Sequence, residues 1–206
     1  MKKQIKSVAR AYYGRKDIQE TIYNFCKNRE TVARNADQFG KRPDALEYPS
    51  DVMQQVKKGF TSFHCSEEIW KDPLKISTDM SEDEINDLRK GWDLLIDIDC
   101  DWFEYSRRAA DAVVKALEKH GVKSVGTKFS GSKGFHILVP WKAFPNRVGG
   151  EKTEDLFPDL PRKIAKYLSF EAEKIMKKNL PDDFYSQFDD VDIKKGVKCK
   201  SCNEIA

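Results

Sequence analysis

Apolar side chains alternate with polar ones over residues 93 to 99, Asp-Leu-Leu-Ile-Asp-Ile-Asp. That period of two predicts a short half-buried strand, with Leu94, Ile96 and Ile98 on one face and Leu95, Asp97 and Asp99 on the other. From Ser106 the period becomes helical, placing Ala110, Val113, Val114 and Leu117 on one stripe, and Gly121 stands where a helix-ending glycine belongs. A strand at about 122 to 129 follows, then a tight turn from Ser130 to Gly134 and a strand at 135 to 139. A β-α-β-turn-β order of this kind predicts an α+β or α/β core, here read as α+β with a mixed sheet flanked by helices.

The flanking segments are read in the same way. Ile18, Ile22 and Phe25 lie at helical spacing behind Asp17, a residue suited to an N-cap, so a helix is expected over 17 to 28. Gly40, Pro43 and Pro49 punctuate an irregular stretch from Asn35 to Ser50, with Lys41 and Arg42 exposed in it. Gly59 to His64 alternates weakly, as a short strand would, and leads into an aromatic-rich segment ending at Trp70. Ser81 and Glu84 form a capping box ahead of Ile85 and Leu88. Pro161 opens a long amphipathic helix carrying Ile164, Leu168, Ala172, Ile175 and Met176. The last 25 residues are polar and turn-rich, with Asp182, Asp183, Asp189, Asp190 and Asp192 among them.

Composition narrows the class. The chain has 206 residues, 39% apolar and 34% charged, with a mean hydropathy of -0.68, and no apolar run approaches the ~18 to 20 residues that span a bilayer. No membrane partner is expected. Five cysteines are scattered at 26, 65, 100, 199 and 202, unlike the framework of a secreted disulfide-rich domain, so a reducing, cytoplasmic setting is expected. The net charge is only +3, but residues 1 to 60 hold 13 Lys and Arg against 7 Asp and Glu, while the remainder is acidic by three. A basic front end beside an acidic remainder suits a polyanionic ligand held near carboxylate-bound metal, an ordinary solvated surface being the alternative.

Asp97 and Asp99 give this pattern its chemistry. Two residues apart on a strand, their Cα atoms are ~6.7 Å apart and both side chains project to one side. Their mutual repulsion is about 2.5 kcal/mol at an effective dielectric of 20. A divalent cation converts that repulsion into coordination and leaves positions open for phosphate oxygens; a strand face that is merely wet is the other reading. A calcium loop is excluded, because Trp102 stands where a glycine must turn and Arg108 where a bidentate glutamate is required. Asp101 is left as a turn carboxylate able to assist.

Ser130-Gly131-Ser132-Lys133-Gly134-Phe135-His136 offers converging backbone amides, two hydroxyls and a lysine to a phosphate. It is not a Walker A loop, since the spacing differs and a strand rather than a helix follows. A plain glycine-bearing hairpin turn is the alternative reading of the same residues. His136 opens the next strand on the face of Leu138, within reach of a bound triphosphate. His64 lies ahead of Glu67, Glu68 and Trp70, and His120 ends a helix whose dipole it complements. Cys199-x2-Cys202 has the internal spacing of half a zinc site; Cys26, Cys65 and Cys100 read as free thiols.

In order and spacing these motifs resemble those of the archaeo-eukaryotic primase superfamily, over approximately residues 10 to 145. Gly91-Trp-Asp-Leu-Leu-Ile-Asp-Ile-Asp99 resembles the family's first catalytic motif and Ser130 to His136 its second, the likeness being nearest to the small catalytic subunit of archaeal primase. The resemblance implies a primase-type catalytic core over 1–190, incomplete at its C-terminus, and the start of a possible zinc-ribbon module over 191–206. It implies that Asp97 and Asp99 bind Mg²⁺ or Mn²⁺ as catalytic ligands, and that Ser130, Gly131, Ser132, Lys133, Gly134 and His136 bind the triphosphate of an incoming NTP or dNTP. Arg29-Glu30 resembles an Arg-Glu element near the family's start. Arg42-Pro43 and His64 resemble elements of the related polymerase domain of bacterial end-joining ligases, which adds Arg42 and His64 to the nucleotide-binding set.

Cys199 and Cys202 resemble the opening half of a zinc module, hence a structural Zn²⁺. A third strand carboxylate and a basic Ser-Leu-His element that the family carries downstream are not matched, so the chain is expected to be an N-terminal portion of a longer protein or half of a split subunit. The implied activity is metal-dependent, DNA-directed synthesis of short RNA or DNA primers, with a DNA template, a large regulatory primase subunit as partner in a heterodimer, and a nucleoid-associated location. Two rivals stand beside it: a repair or end-joining polymerase of the same superfamily, and a nucleotide-binding, primase-interacting module without catalysis.

Overall fold

A computed structural model describes residues 2–35 and 38–179. The described residues fall into two compact units that divide between Trp92 and Asp93.

The first unit opens with helices α1 (Lys2–Tyr13) and α2 (Lys16–Cys26), followed by strand β1 (Thr31–Arg34), helix α3 (Pro49–Lys57) and strand β2 (Ser62–Cys65). Asp17 is not the N-cap of α2. Arg15 holds that position, and Asp17 sits in the first turn, where its charge suits the helix dipole and pairs with Arg15 Nη2 at 2.6 Å. The periodicity of α1 went unread in the sequence because Lys2, Lys3, Lys6 and Arg10 interrupt it. α3 starts at Pro49, the first-turn position proline favours, and Asp51 reaches back to the Tyr48 amide at 2.8 Å. β1 and β2 pair antiparallel, Thr31 opposite Cys65 and Val32 opposite His64. Thr31, Val32 and Ala33 are all buried, so β1 is a short core strand.

Strand β3 (Glu68–Trp70), helix α4 (Glu82–Leu88) and strand β4 (Arg89–Trp92) complete this unit. α4 carries the expected capping box, Ser81 and Glu84 each bonding the other's backbone amide. β3 and β4 pair antiparallel. Buried Arg89 donates from Nε to Glu68 Oε1 at 3.0 Å and lies over the Trp70 ring. Burial raises the Glu68 carboxyl above its ordinary range, and Arg89 offsets part of that.

The second unit contains strand β5 (Leu94–Ile98), helix α5 (Phe103–Lys119), strands β6 (Gly126–Phe129), β7 (Phe135–Val139), β8 (Arg147–Val148) and β9 (Glu151–Lys152), and helix α6 (Asp159–Asn179). The alternation read between 93 and 99 is borne out: Leu94 is buried and Leu95, Asp97 and Asp99 are exposed. β5, β7 and β6 form one sheet in that order. The expected mixed sheet is corrected here, because every ladder among the described residues is antiparallel. β5 and β6 do run parallel, but β7 returns through the Ser130 turn and inserts between them, so neither touches the other. Ile137 on β7 is fully buried, with Leu94 and Val139 almost so. α5 lies against β5 and β7, and α6 against α5, burying Ala110, Val113, Ala116 and Leu117 of one and Leu168, Ala172 and Met176 of the other.

Asp93, an acid the strand pattern leaves unexplained, is buried and accepts the Trp141 amide at 2.8 Å. Glu171 joins the two long helices, accepting from Lys119 at 2.9 Å and Lys174 at 2.8 Å. His120 caps α5, and its Nε2 lies 2.9 Å from the Tyr167 hydroxyl on α6.

Two outcomes are expected of this packing. Ile137→Ala should cost about 2 to 5 kcal/mol in urea unfolding, since its methyl groups fill the centre of the three-stranded sheet. The Glu171 carboxyl is drawn down to about 2 by Lys174 and Lys119. Its stabilising effect is therefore complete above its ordinary value near 4.5 and disappears as pH falls toward 2. Melting curves of the protein and of Glu171→Gln should accordingly converge across that interval.

Candidate nucleotide and metal site

The site begins with register. In the β5–β7 ladder Asp97 stands opposite His136, and in the β6–β7 ladder Lys128 stands opposite the same histidine. Directly paired residues share a sheet face. One row across the outer face thus reads Asp97, His136, Lys128: an acid, an imidazole and a cation. His136 Nε2 lies 3.6 Å from Asp97 Oδ1, an ion-pair distance when the ring is protonated. Lys128 was not singled out from the sequence. Its signal was the alternation across 122 to 129, which puts it beside His136 only once β7 is known to be the neighbour.

The Ser130 to Gly134 turn is pressed against the end of β5. Ser130 and Gly134 close it, with the Ser130 amide donating to the Gly134 carbonyl at 2.9 Å and the Gly134 amide donating to Ser130 Oγ at 3.2 Å. Gly131 has φ +96°, the left-handed region glycine favours. Gly134 is required for a different reason. A Cβ there would lie 2.2 Å from the Ile98 carbonyl oxygen and 3.3 Å from the Asp99 Cα. Backbone therefore meets backbone at this point, bringing the turn onto the rim that bears the carboxylates.

Lys133 extends from the turn and donates to Asp101 Oδ1 at 2.8 Å. That bond and the charge of Asp101 raise the lysine above its ordinary pKa, so the turn carries a fixed positive charge. Gly131 and Ser132 are exposed at its tip. Behind the turn Phe103, Phe129 and Phe135 form a three-ring cluster with centroids 5.6 to 5.7 Å apart, and Phe103 and Phe129 remain half-exposed. The cluster braces both strands that enter and leave the turn.

The structure thus brings together Asp97 with His136, Asp101 with Lys133, and Asp99 with Gly134, all within the second unit. Arg42 and His64 belong to the first. Arg42 grips Glu30 through two parallel bonds, Nε to Oε1 at 2.8 Å and Nη2 to Oε2 at 2.9 Å. Glu30 is almost fully buried while the Arg42 side chain is 64% exposed, so one end of the guanidinium faces solvent. His64 meets Ser62 Oγ at 3.2 Å and the edge of Phe39, with Arg34 over the same ring.

Asp97 on β5 and Asp99 just past its end are exposed hard oxygen donors, the donor type that Mg²⁺ or Mn²⁺ takes while keeping water and phosphate oxygens in its other positions. In that respect the pair fits such an ion. Among the described residues no three His, Cys, Asp or Glu side chains converge as a metal cluster. Cys199 and Cys202, read as half a zinc site, and Asp182 through Asp192 lie outside the described residues.

No family model matches the chain. A protein of Methanocaldococcus jannaschii, described as uncharacterized protein MJECS07, is 27% identical over 122 residues. The match covers 59% of this chain and 26% of that protein, so the chain spans about a quarter of the relative's length. No helix among the described residues is long and apolar enough to cross a membrane.

The close approach at Gly134 should be felt directly. Gly134→Ala is expected to push the turn off Ile98 and destabilise the protein by about 1 to 3 kcal/mol. Gly131→Ala, with nothing within 4 Å of its added methyl, should cost less, about 1 kcal/mol from backbone strain alone. Parallel urea titrations of the two variants compare them.

Proposed function

We propose that this chain is part of a metal-dependent nucleotidyltransferase of the archaeo-eukaryotic primase type, its second unit holding the nucleotide. The supporting observation is the juxtaposition of the Asp97–Asp99 rim with the Ser130–His136 turn, carried by the Asp97–His136 pairing and the backbone contact at Gly134. Acid strand and phosphate-type turn are 31 residues or more apart in sequence, yet they form one edge.

In this reading Asp97 and Asp99 hold Mg²⁺ or Mn²⁺, which neutralises triphosphate charge and favours the deprotonated 3′-hydroxyl of a primer or initiating nucleotide. Lys133, already cationic and oriented by Asp101, faces the phosphates as a point charge. Ser130 and Ser132, with the turn amide of Gly131, supply hydrogen-bond donors to phosphate oxygens, and His136 donates from the adjoining strand; Gly134, expected among the phosphate donors, instead gives its amide to Ser130 Oγ and closes the turn. Template DNA would be held through its backbone phosphates by basic side chains, independent of sequence. The product is a short RNA or DNA primer. A large regulatory subunit is the partner, a third carboxylate and a zinc module come from outside the described residues, and the setting is cytoplasmic and nucleoid-associated.

A second reading, a nucleotide-binding module without catalysis, draws support from one observation: the described residues offer two rim carboxylates and no three-ligand cluster. The two readings separate in one experiment. The full-length protein, supplied with template, Mn²⁺ or Mg²⁺ and labelled nucleotide, is expected to make primers. Asp97→Asn and Asp99→Asn should each lower synthesis at least ~100-fold, since a metal supplies several kcal/mol of charge stabilisation. Wild-type rates in either variant would refute the metal assignment, and nucleotide binding without any phosphodiester formation would favour the module. Lys133→Ala should raise the half-saturating nucleotide concentration about tenfold or more, the worth of a charged hydrogen bond.

A further inference from the structure

The first unit contains two thiols that the proposed chemistry does not use. Cys26 ends α2 and is 5% exposed. Cys65 ends β2, opposite Thr31 in the ladder, and is more exposed. Thirty-nine residues apart in sequence, they meet in one cluster: Cys26 is buried with Leu46 and Val52, and Cys65 packs on that group with Tyr13, Ile22, Tyr23 and Phe63. Both thiols border this one cluster, and Cys65 is a hydrogen-bonding neighbour of the Cys26 thiol.

We propose that Cys26 and Cys65 are a redox pair that closes into a disulfide by exchange with a low-molecular-weight disulfide. Cys65, the more exposed, is the point of entry. Having lost its proton to water, its sulfur attacks one sulfur of the small disulfide. A mixed disulfide forms, and the other half leaves as a thiolate that takes up a proton. The Cys26 thiolate then attacks the Cys65 sulfur, forms the protein disulfide and expels the second half, which is protonated in turn. Two protein thiols lose two electrons and two protons, and the small disulfide is reduced to two thiols.

Cys26 is suited to the second step. While Cys65 is a thiol, its hydrogen bond lowers Cys26 to about 7 against the opposing effect of burial; once Cys65 is in the mixed disulfide, the Thr31 hydroxyl and the Arg29 guanidinium remain to favour the Cys26 thiolate. The Tyr13 and Tyr23 rings pack on the same cluster, and burial keeps the Tyr13 hydroxyl above its ordinary range, hence neutral. The bond would tie the end of α2 to the end of β2 and close a loop containing the Glu30–Arg42 pair. This inference stands on the first unit alone and is independent of the proposed nucleotidyl transfer.

The test exposes the full chain, natively folded, to oxidised glutathione, quenches with acid and maps peptides without reduction. In the wild type the peptides bearing Cys26 and Cys65 are expected as one linked species, lighter by two hydrogens. In Cys26→Ser the reaction should stop at glutathione on Cys65. In Cys65→Ser, modification of Cys26 should fall about tenfold or more, the entry point being gone. Glutathione persisting on Cys65 of the wild type, or either cysteine linked instead to Cys100, Cys199 or Cys202, would overturn the proposal. Circular dichroism establishes that each serine variant is folded, and the wild-type map decides the matter if one is not.

Discussion

The second unit depends on a backbone contact. Where Gly134 passes the Ile98 carbonyl there is no room for a side chain, and that contact sets how the Ser130 turn lies on β5. From it follows the ladder in which Ile98 faces Phe135, Asp97 faces His136 and Ile96 faces Ile137. A slip of one residue would exchange the faces of the strand, exposing Ile137 and burying His136. The buried apolar face of the sheet and the polar row on its outer face are thus two consequences of one register. The helices reinforce it: α5 covers the apolar face, and α6 covers α5 with Glu171 linked to Lys119 across the helix pair.

The first unit is held by buried polar pairs as much as by its apolar cluster. Glu30 and Arg89 are nearly inaccessible charges, each with an opposite partner in hydrogen-bonding contact. Leaving either without its partner would impose the cost of an uncompensated buried charge, so these pairs specify the local fold even where their net stabilisation is small. Arg29, almost fully buried, donates to the carbonyls of Phe25, Ser66 and Glu67. It thereby ties the end of α2 to the β2–β3 connection, beside the thiols of Cys26 and Cys65. Charge, hydrogen bonding and thiol chemistry are concentrated in the same few residues.

Much of the second unit was legible because its elements announce themselves locally. The alternation of 94 to 98, the helical stripe of α5 and the strand at 135 to 139 follow from side-chain periodicity, as the capping box at Ser81 in the first unit follows from short-range hydrogen bonding. Boundaries drifted where exposed residues carried no period: β6 begins at Gly126 rather than 122 because it is an exposed edge strand. β1 and β4 were missed because their burial does not alternate, and β3 because three residues are too few to show a period. Asp17 was misplaced as a cap because the residue before the helix, Arg15, lies outside the set that capping statistics favour.

The sequence by itself determined the strand β5, the apolar stripe of the helix that follows, the strand β7, and the glycine-bearing turn before it. Each of these is a relation between near neighbours along the chain. Tertiary structure alone decided that β7 inserts between β5 and β6, that His136 therefore lies beside Asp97 and Lys128, that Lys133 reaches Asp101, and that Cys26 meets Cys65. Apart from Lys128 with His136 across the turn, these are pairings across tens of residues. Periodicity specifies a side chain's face and not its neighbour, which is chosen only when backbone hydrogen bonds and apolar burial are satisfied together.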